Sequence, residues 1–289
     1  MTPGGELDGR TVLITGATSG LGREAALALA AMGPRIYVAA RDRSRAEKTA
    51  DEIRRESGND DVYLLIGDLS SQAQVRDVAD QFLARSDRLD VLLNNAGAVF
   101  GFRREVSVDG VEMTLALNHL AYFTLTLLLL PTLLQSESAR IVNVASDAYK
   151  DAKGRFDFDD FNAEQKYSPL RQYGRSKLAN ILFTRELASR VASNVTVNAC
   201  SPPRLTSTRF AHNVHPLAKV SLLVASPFTM SPKKGAESLI HLCSSPDVVG
   251  VTGTFWSGLT QPDLTDAATN EEDARRLWDL SVDLTAVSL

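Results

Sequence analysis

Thr11-Val12-Leu13-Ile14-Thr15-Gly16-Ala17-Thr18-Ser19-Gly20-Leu21-Gly22 joins a short apolar run to a turn rich in glycine. The opening residues read as a strand. Arg23 to Met32, dense in Ala and Leu, reads as a helix that begins near Gly20. The N-terminal amides of such a helix point back at the turn, where glycines let the backbone approach an anion closely. Gly16, Thr18, Ser19, Gly20, Leu21 and Gly22 therefore form a candidate pyrophosphate cradle.

The same alternation continues along the chain. Arg35 to Ala40 reads as a second strand and Arg45 to Ser57 as a helix. Val62 to Ile66 is a third strand, Gln74 to Arg85 a helix, and Asp90 to Leu93 a fourth strand. Strands and helices trading places at this spacing predict an α/β, single-domain doubly wound Rossmann fold over residues 1–289. Its parallel sheet would have about seven strands, with helices on both faces. Ligands of such sheets bind at the carboxyl ends of the strands. Asp68-Leu69 and Asn95-Ala96-Gly97 fall at two of these ends and are candidate cofactor contacts.

The second strand end bears on which dinucleotide is bound. An acidic side chain there would take a ribose 2′-hydroxyl, whereas an arginine would pair with a 2′-phosphate. Ala40 ends the strand and Arg41 follows, so NADP is favoured, with Arg23 and Arg43 as further phosphate partners. Asp42 keeps NAD open as the alternative.

Composition bounds the rest. With 44% hydrophobic residues, 23% charged residues and a net charge of −4, the chain has neither the basic surface of a nucleic-acid binder nor a disordered composition. Cys200 and Cys243 cannot build a disulfide framework, and no His/Cys spacing matches a metal site. Met1 to Gly9 lacks an apolar signal region, so a cytoplasmic protein is expected. The longest apolar run, Leu120 to Leu134, is broken by threonines and Pro131, so it reads as a buried or interface helix and not a membrane span.

Tyr173-Gly174-Arg175-Ser176-Lys177 sets a phenol and an ammonium one helical turn apart. A nearby ammonium favours phenolate, so the pair is a candidate proton donor and acceptor. Ser146, at the end of the strand-like run from Arg140, and Asn118, upstream of the apolar helix, join it as polar groups at the same sheet end. In this order, the glycine turn, Asn94-Asn95-Ala96-Gly97, Asn118, Ser146 and Tyr173/Lys177 resemble the short-chain dehydrogenase/reductase family. Asn118-His119-Leu120, Ser176 to Phe183 and Ala274 to Asp279 are similar to its retinol dehydrogenase-like branch, as is the 27-residue step from Ser146 to Tyr173.

The resemblance implies an NADP-dependent oxidoreductase that interconverts a hydrophobic ketone or aldehyde and its alcohol. Ser146 would bind the substrate oxygen and Tyr173 would pass the proton. Lys177 would lower the Tyr173 pKa and hold the nicotinamide ribose, while Asn118 would position a relay water. The resemblance also implies a homodimer through the helices carrying Asn118 and Tyr173. Ser207, with Thr206 and Thr208 beside it, would face the nicotinamide carboxamide. Pro203 stands where the family has glycine, and 210–232, which includes His212 and His215, reads as an apolar substrate lid. A non-catalytic NADP-binding sensor or scaffold is the competing reading, and the intact Ser146, Tyr173 and Lys177 argue against it.

Overall fold

A computed structural model describes residues 6–202 and 231–289. Its first half alternates as β1 (Thr11–Thr15), α1 (Gly20–Ala30), β2 (Arg35–Ala40), α2 (Arg43–Ser57), β3 (Val62–Ile66), α3 (Gln72–Leu83) and β4 (Val91–Asn94). A short turn α4 (Met113–Leu115) and a π-helical turn, Ala116–Leu120, lead into α5 (Ala121–Leu134). Then come β5 (Ala139–Val144), a 3-10 helix at Asp147–Ala152, α6 (Pro169–Arg190) and β6 (Val195–Ser201). Beyond residue 230 the helices Pro232–Gly235 and Glu237–Ser244 precede β7 (Phe255–Ser257), and Glu271–Thr285 is the last helix.

All seven strands pair in parallel in the order β3-β2-β1-β4-β5-β6-β7. Parallel strands are covered on both faces, and β1 shows the consequence. Leu13 enters a core with α3, α5 and α6, whereas Val12 and Ile14 enter a second core with α1 and Glu237–Ser244. Each fully buried Leu or Ile of this kind contributes about 1.5–3 kcal/mol of transfer free energy. The expected strands are present. Helix limits move by a turn or less: Asp42 accepts from Arg45 N at 3.0 Å and starts α2 at Arg43, not Arg45, and Gly58 ends it in the left-handed region.

Met113–Leu134 is long and apolar enough to cross a membrane by length and composition, but 83% of its apolar window is buried inside the protein. The last helix also covers it. Trp278 packs edge-on against Phe123 at 5.1 Å and against Phe183, with Arg190 stacked over its ring at 4.4 Å. Part of the α5–α6 face is thereby buried within the chain.

His119 ties this packing together. It is fully buried, with Nδ1 3.4 Å from Asn180 Oδ1 and Nε2 3.0 Å from Ser281 Oγ, so it joins the π turn to α6 and to the last helix. Burial lowers its pKa to about 4. The neutral ring is the folded form, so its contribution to stability is full above the unfolded value near 6.5 and is lost as pH falls towards 4. Urea unfolding of the parent and of His119→Gln should therefore differ in pH slope between pH 6.5 and 4, with the histidine accounting for about 3 kcal/mol of the parent's acid destabilisation. Parallel slopes would contradict the buried neutral ring.

Candidate active site

The glycine turn is held by contacts that no side chain could share. A Cβ at Gly22 would collide with Asn95 Nδ2 and lie 2.5 Å from Gly16 O, while one at Gly16 would lie 2.7 Å from Ala96 Cα. Asn95 explains the tightness. Its Nδ2 donates to Thr15 O at 2.9 Å and Gly16 O at 3.1 Å, while Thr15 Oγ1 accepts from Asn95 N and Ala96 N. Asn95 thus staples the end of β4 to the glycine turn. Ser19, the residue before α1, makes no side-chain cap, so the first amides of the helix are left for another acceptor. A bared backbone, left-handed Gly16 and Gly20, and uncapped amides fit a dinucleotide pyrophosphate.

The adenosine end separates the candidate arginines. Arg23 pairs with Glu52 through two nitrogens and with Glu24 through the third, so it is already neutralised. Asp42 serves as the α2 cap. Arg41 differs: its side chain is 63% exposed, with Asp68 Oδ2 4.0 Å away as its ion-pair contact. Asp68 is occupied in part by its own turn, accepting from Ser70 N and Oγ. The Leu69 side chain is buried in the core.

The catalytic candidates meet at the ends of β4 and β5. Ser168 and Pro169 open α6, so Tyr173 and Lys177 lie in its first turns and share a face. Lys177 is 1% exposed; its Nζ donates to Val144 O at 2.8 Å and lies 5.5 Å from the Tyr173 ring centroid and 5.8 Å from that of Tyr122. Ser146 lies two residues past β5, not within it, where its Oγ accepts from Ala148 N at 3.2 Å and it is hydrogen-bonded to Tyr173. Gly174 has a packing role. A Cβ there would be 2.7 Å from Ala148 O, so glycine lets the turn after Ser146 lie directly on α6.

The acid–base expectation needs correction. Burial pushes the Tyr173 phenol well above its usual value near 10, against a smaller downward pull from Ser146. Burial also lowers Lys177 to about 7, so its charge is partly lost at neutral pH and burial outweighs it at the phenol. Tyr173 therefore holds its proton at neutral pH. The Asn118 side chain is likewise already satisfied: Oδ1 accepts from Ala98 N, and Nδ2 donates to Ala98 O and Ser176 Oγ. Its carbonyl accepts from Asn180 Nδ2 at 2.9 Å and keeps a second lone pair, so the backbone oxygen, not the side chain, is the Asn118 atom with room for the expected relay water.

Sequence reading missed the π turn around Asn118 and the role of Asn180, which bonds both Asn118 O and Val144 O. The run Ser176 to Phe183 contained Asn180, but nothing in its spacing marked it. It also missed a polar ladder through the core, in which Asn94 donates to Thr126 and Asn143, and Asn143 donates to Thr184. Pro203, Thr206, Ser207, Thr208, His212, His215 and most of the expected lid at 210–232 lie outside the described residues.

A methyl group should break the stapled turn. Gly22→Ala should weaken dinucleotide binding by about tenfold or more in calorimetry, since loop or Asn95 must shift; unchanged affinity would contradict the cradle.

Comparison with known proteins agrees with this geometry. The sequence profile of the short chain dehydrogenase family matches residues 10–157. Human retinol dehydrogenase 14 is 43% identical over 96% of this chain and 86% of its own length, and human retinol dehydrogenase 12 is 37% identical over 98% and 88%. Among solved structures, an uncharacterised protein from Mycobacterium paratuberculosis superposes with a TM-score of 0.77 at 31% identity, covering 99% of this chain and 97% of that one. RhlG of Pseudomonas aeruginosa, solved as an NADP active-site complex, gives 0.69 at 27% identity, covering 89% and 97%. The chain belongs to the short-chain dehydrogenase/reductase family, in its retinol dehydrogenase-like branch, and is an oxidoreductase of alcohol and carbonyl groups.

Proposed function

We propose that the protein is an NADP-dependent reductase of hydrophobic ketones or aldehydes, with Tyr173 as proton donor. One observation carries the reading: Ser146 is hydrogen-bonded to Tyr173, and Lys177 Nζ, held by Val144 O, would lie 3.6 Å from a Cβ at Gly97, two residues from the Asn95 that staples the glycine turn. NADP, held along Gly16 to Gly22 and at Arg41, supplies the hydride when bound. Ser146, its Oγ oriented by Ala148 N, donates to the carbonyl oxygen and polarises it. Tyr173 passes its phenolic proton to that oxygen as charge develops there. Lys177, fixed by Val144 O, has its remaining donors for a ribose hydroxyl and offers the phenol a cationic neighbour when protonated. The apolar character of 210–232 supports a hydrophobic substrate. The remaining α5–α6 surface belongs to the proposal as a homodimer contact, and the two free, buried cysteines accord with a cytoplasmic site of action.

Two measurements follow. Purified protein should oxidise NADPH with apolar aldehydes or ketones, and Tyr173→Phe should reduce kcat at least about a hundredfold while NADPH still binds. An unchanged rate would remove Tyr173 from the chemistry, and NADPH binding without turnover by the parent would favour the sensor reading. By calorimetry, Arg41→Ala should weaken NADPH about tenfold and leave NADH unaffected, because only the former carries the 2′-phosphate. Equal affinity of the parent for both dinucleotides would contradict the NADP assignment.

A further inference from the structure

Two residues from Tyr173, the side chain of Arg175 points away from the reaction and into the protein. It is 3% exposed. One terminal nitrogen donates to Gln172 Oε1 at 2.6 Å, the other donates to Asp157 O, and the guanidinium lies 5.2 Å from the Phe156 ring centroid. Gln172, also buried, passes the link on through Nε2 to Glu112 Oε2 at 3.0 Å. Glu112 is wholly buried and caps α4, accepting from Thr114 N, Thr114 Oγ1 and Leu115 N. A buried charge costs several kcal/mol unless it is paired or hydrogen-bonded, so an arginine and a glutamate enclosed together bind firmly what they touch.

What they touch is the segment that runs from Ser146 to Tyr173. Residues 153–168 pass beside the first turns of α6 and are clasped to the loop after β4. Asn162 accepts from Glu112 N and Arg104 Nε and donates to Gly110 O, while Tyr167 Oη donates to Gly101 O at 2.9 Å. Ala163 is fully buried with φ of 50°, a left-handed conformation that alanine adopts only when its surroundings impose it. Phe102, within the loop after β4, and Leu170, in the first turn of α6, stand 69% and 68% exposed. The wall is therefore a built structure, with Phe102 and Leu170 as exposed apolar side chains on the two elements that flank it.

We infer that Arg175 is a positioning residue for substrate selection: it locks the 153–168 wall to the catalytic helix and so sets the shape of the carbonyl compound admitted beside Tyr173. The inference rests on the oxidoreductase reading of the same site. Arg175 touches neither reacting atoms nor the glycine turn, so its loss should act on substrate binding and leave hydride and proton transfer intact.

The test compares the parent with Arg175→Lys and Arg175→Met, using butanal and decanal with NADPH. Expected is a rise of about tenfold in KM for decanal, kcat within about twofold, unchanged NADPH affinity, and a narrowed preference between the two aldehydes. Hydrogen exchange should quicken in 156–168 and stay unchanged in 11–22, and this reading needs no turnover. Unchanged KM for both aldehydes, equal loss of kcat for both, or unaltered exchange in 156–168 would overturn the inference. A parent inactive on every carbonyl would instead defeat the proposed function, with the exchange result still deciding whether Arg175 holds the wall. If Arg175→Met does not fold, Arg175→Lys, which keeps the charge but loses the fork, carries the test.

Discussion

An ammonium with almost no water around it sits at the centre of this molecule. Lys177 Nζ reaches across from α6 to the carbonyl of Val144 at the end of β5. That bond offsets part of the cost of enclosing a charge and fixes α6 against the sheet at the one place where Ser146 leaves it. Asn180, one turn further on, donates to the same carbonyl and to Asn118 O, so the π turn and β5 are joined to α6 through one side-chain amide. Everything chemical in the site is placed by that junction. Tyr173 stands one turn before Lys177 on the same face, and Ser146 lies two residues beyond Val144.

Much of this architecture is legible in the amino-acid order. Parallel strands buried on both faces are continuous apolar runs, so Val12 to Ile14 and Val91 to Leu93 announce themselves. The glycine turn is equally plain, because bared backbone demands glycine at fixed intervals. Tyr173 and Lys177 are legible as a pair because one helical turn relates them. What periodicity does not carry is environment. Lys177 reads as a charge beside Tyr173, but its enclosure does not, and burial penalises the charged forms of both groups. Asn118 reads as a lone polar group, but Ala98, Ser176 and Asn180 are its partners, two of them about sixty positions away. The partner of Arg23 is hidden in the same way, since Glu52 lies 29 positions away in sequence.

The structure also divides labour between two sides of Tyr173. Towards the sheet lie Lys177, Asn180, Asn95 and the glycine turn, all rigidly bonded and few in kind. On the other side the chain from Lys153 to Ser168 is irregular, held by the Glu112–Gln172–Arg175 link and by Asn162. The first side has the fixed geometry that hydride and proton transfer require. The second can vary in shape without disturbing it, because its anchors enter α6 at positions 172 and 175 and leave 173 and 177 facing inward.

The central claim is that Lys177 is a desolvated ammonium held by the Val144 carbonyl, and its titration tests that most directly. In the folded, cofactor-free protein labelled with 15N-lysine, the Nζ resonance that disappears in Lys177→Met should titrate near pH 7. A midpoint near the ordinary lysine value of about 10.4 would show a solvated ammonium and contradict the account.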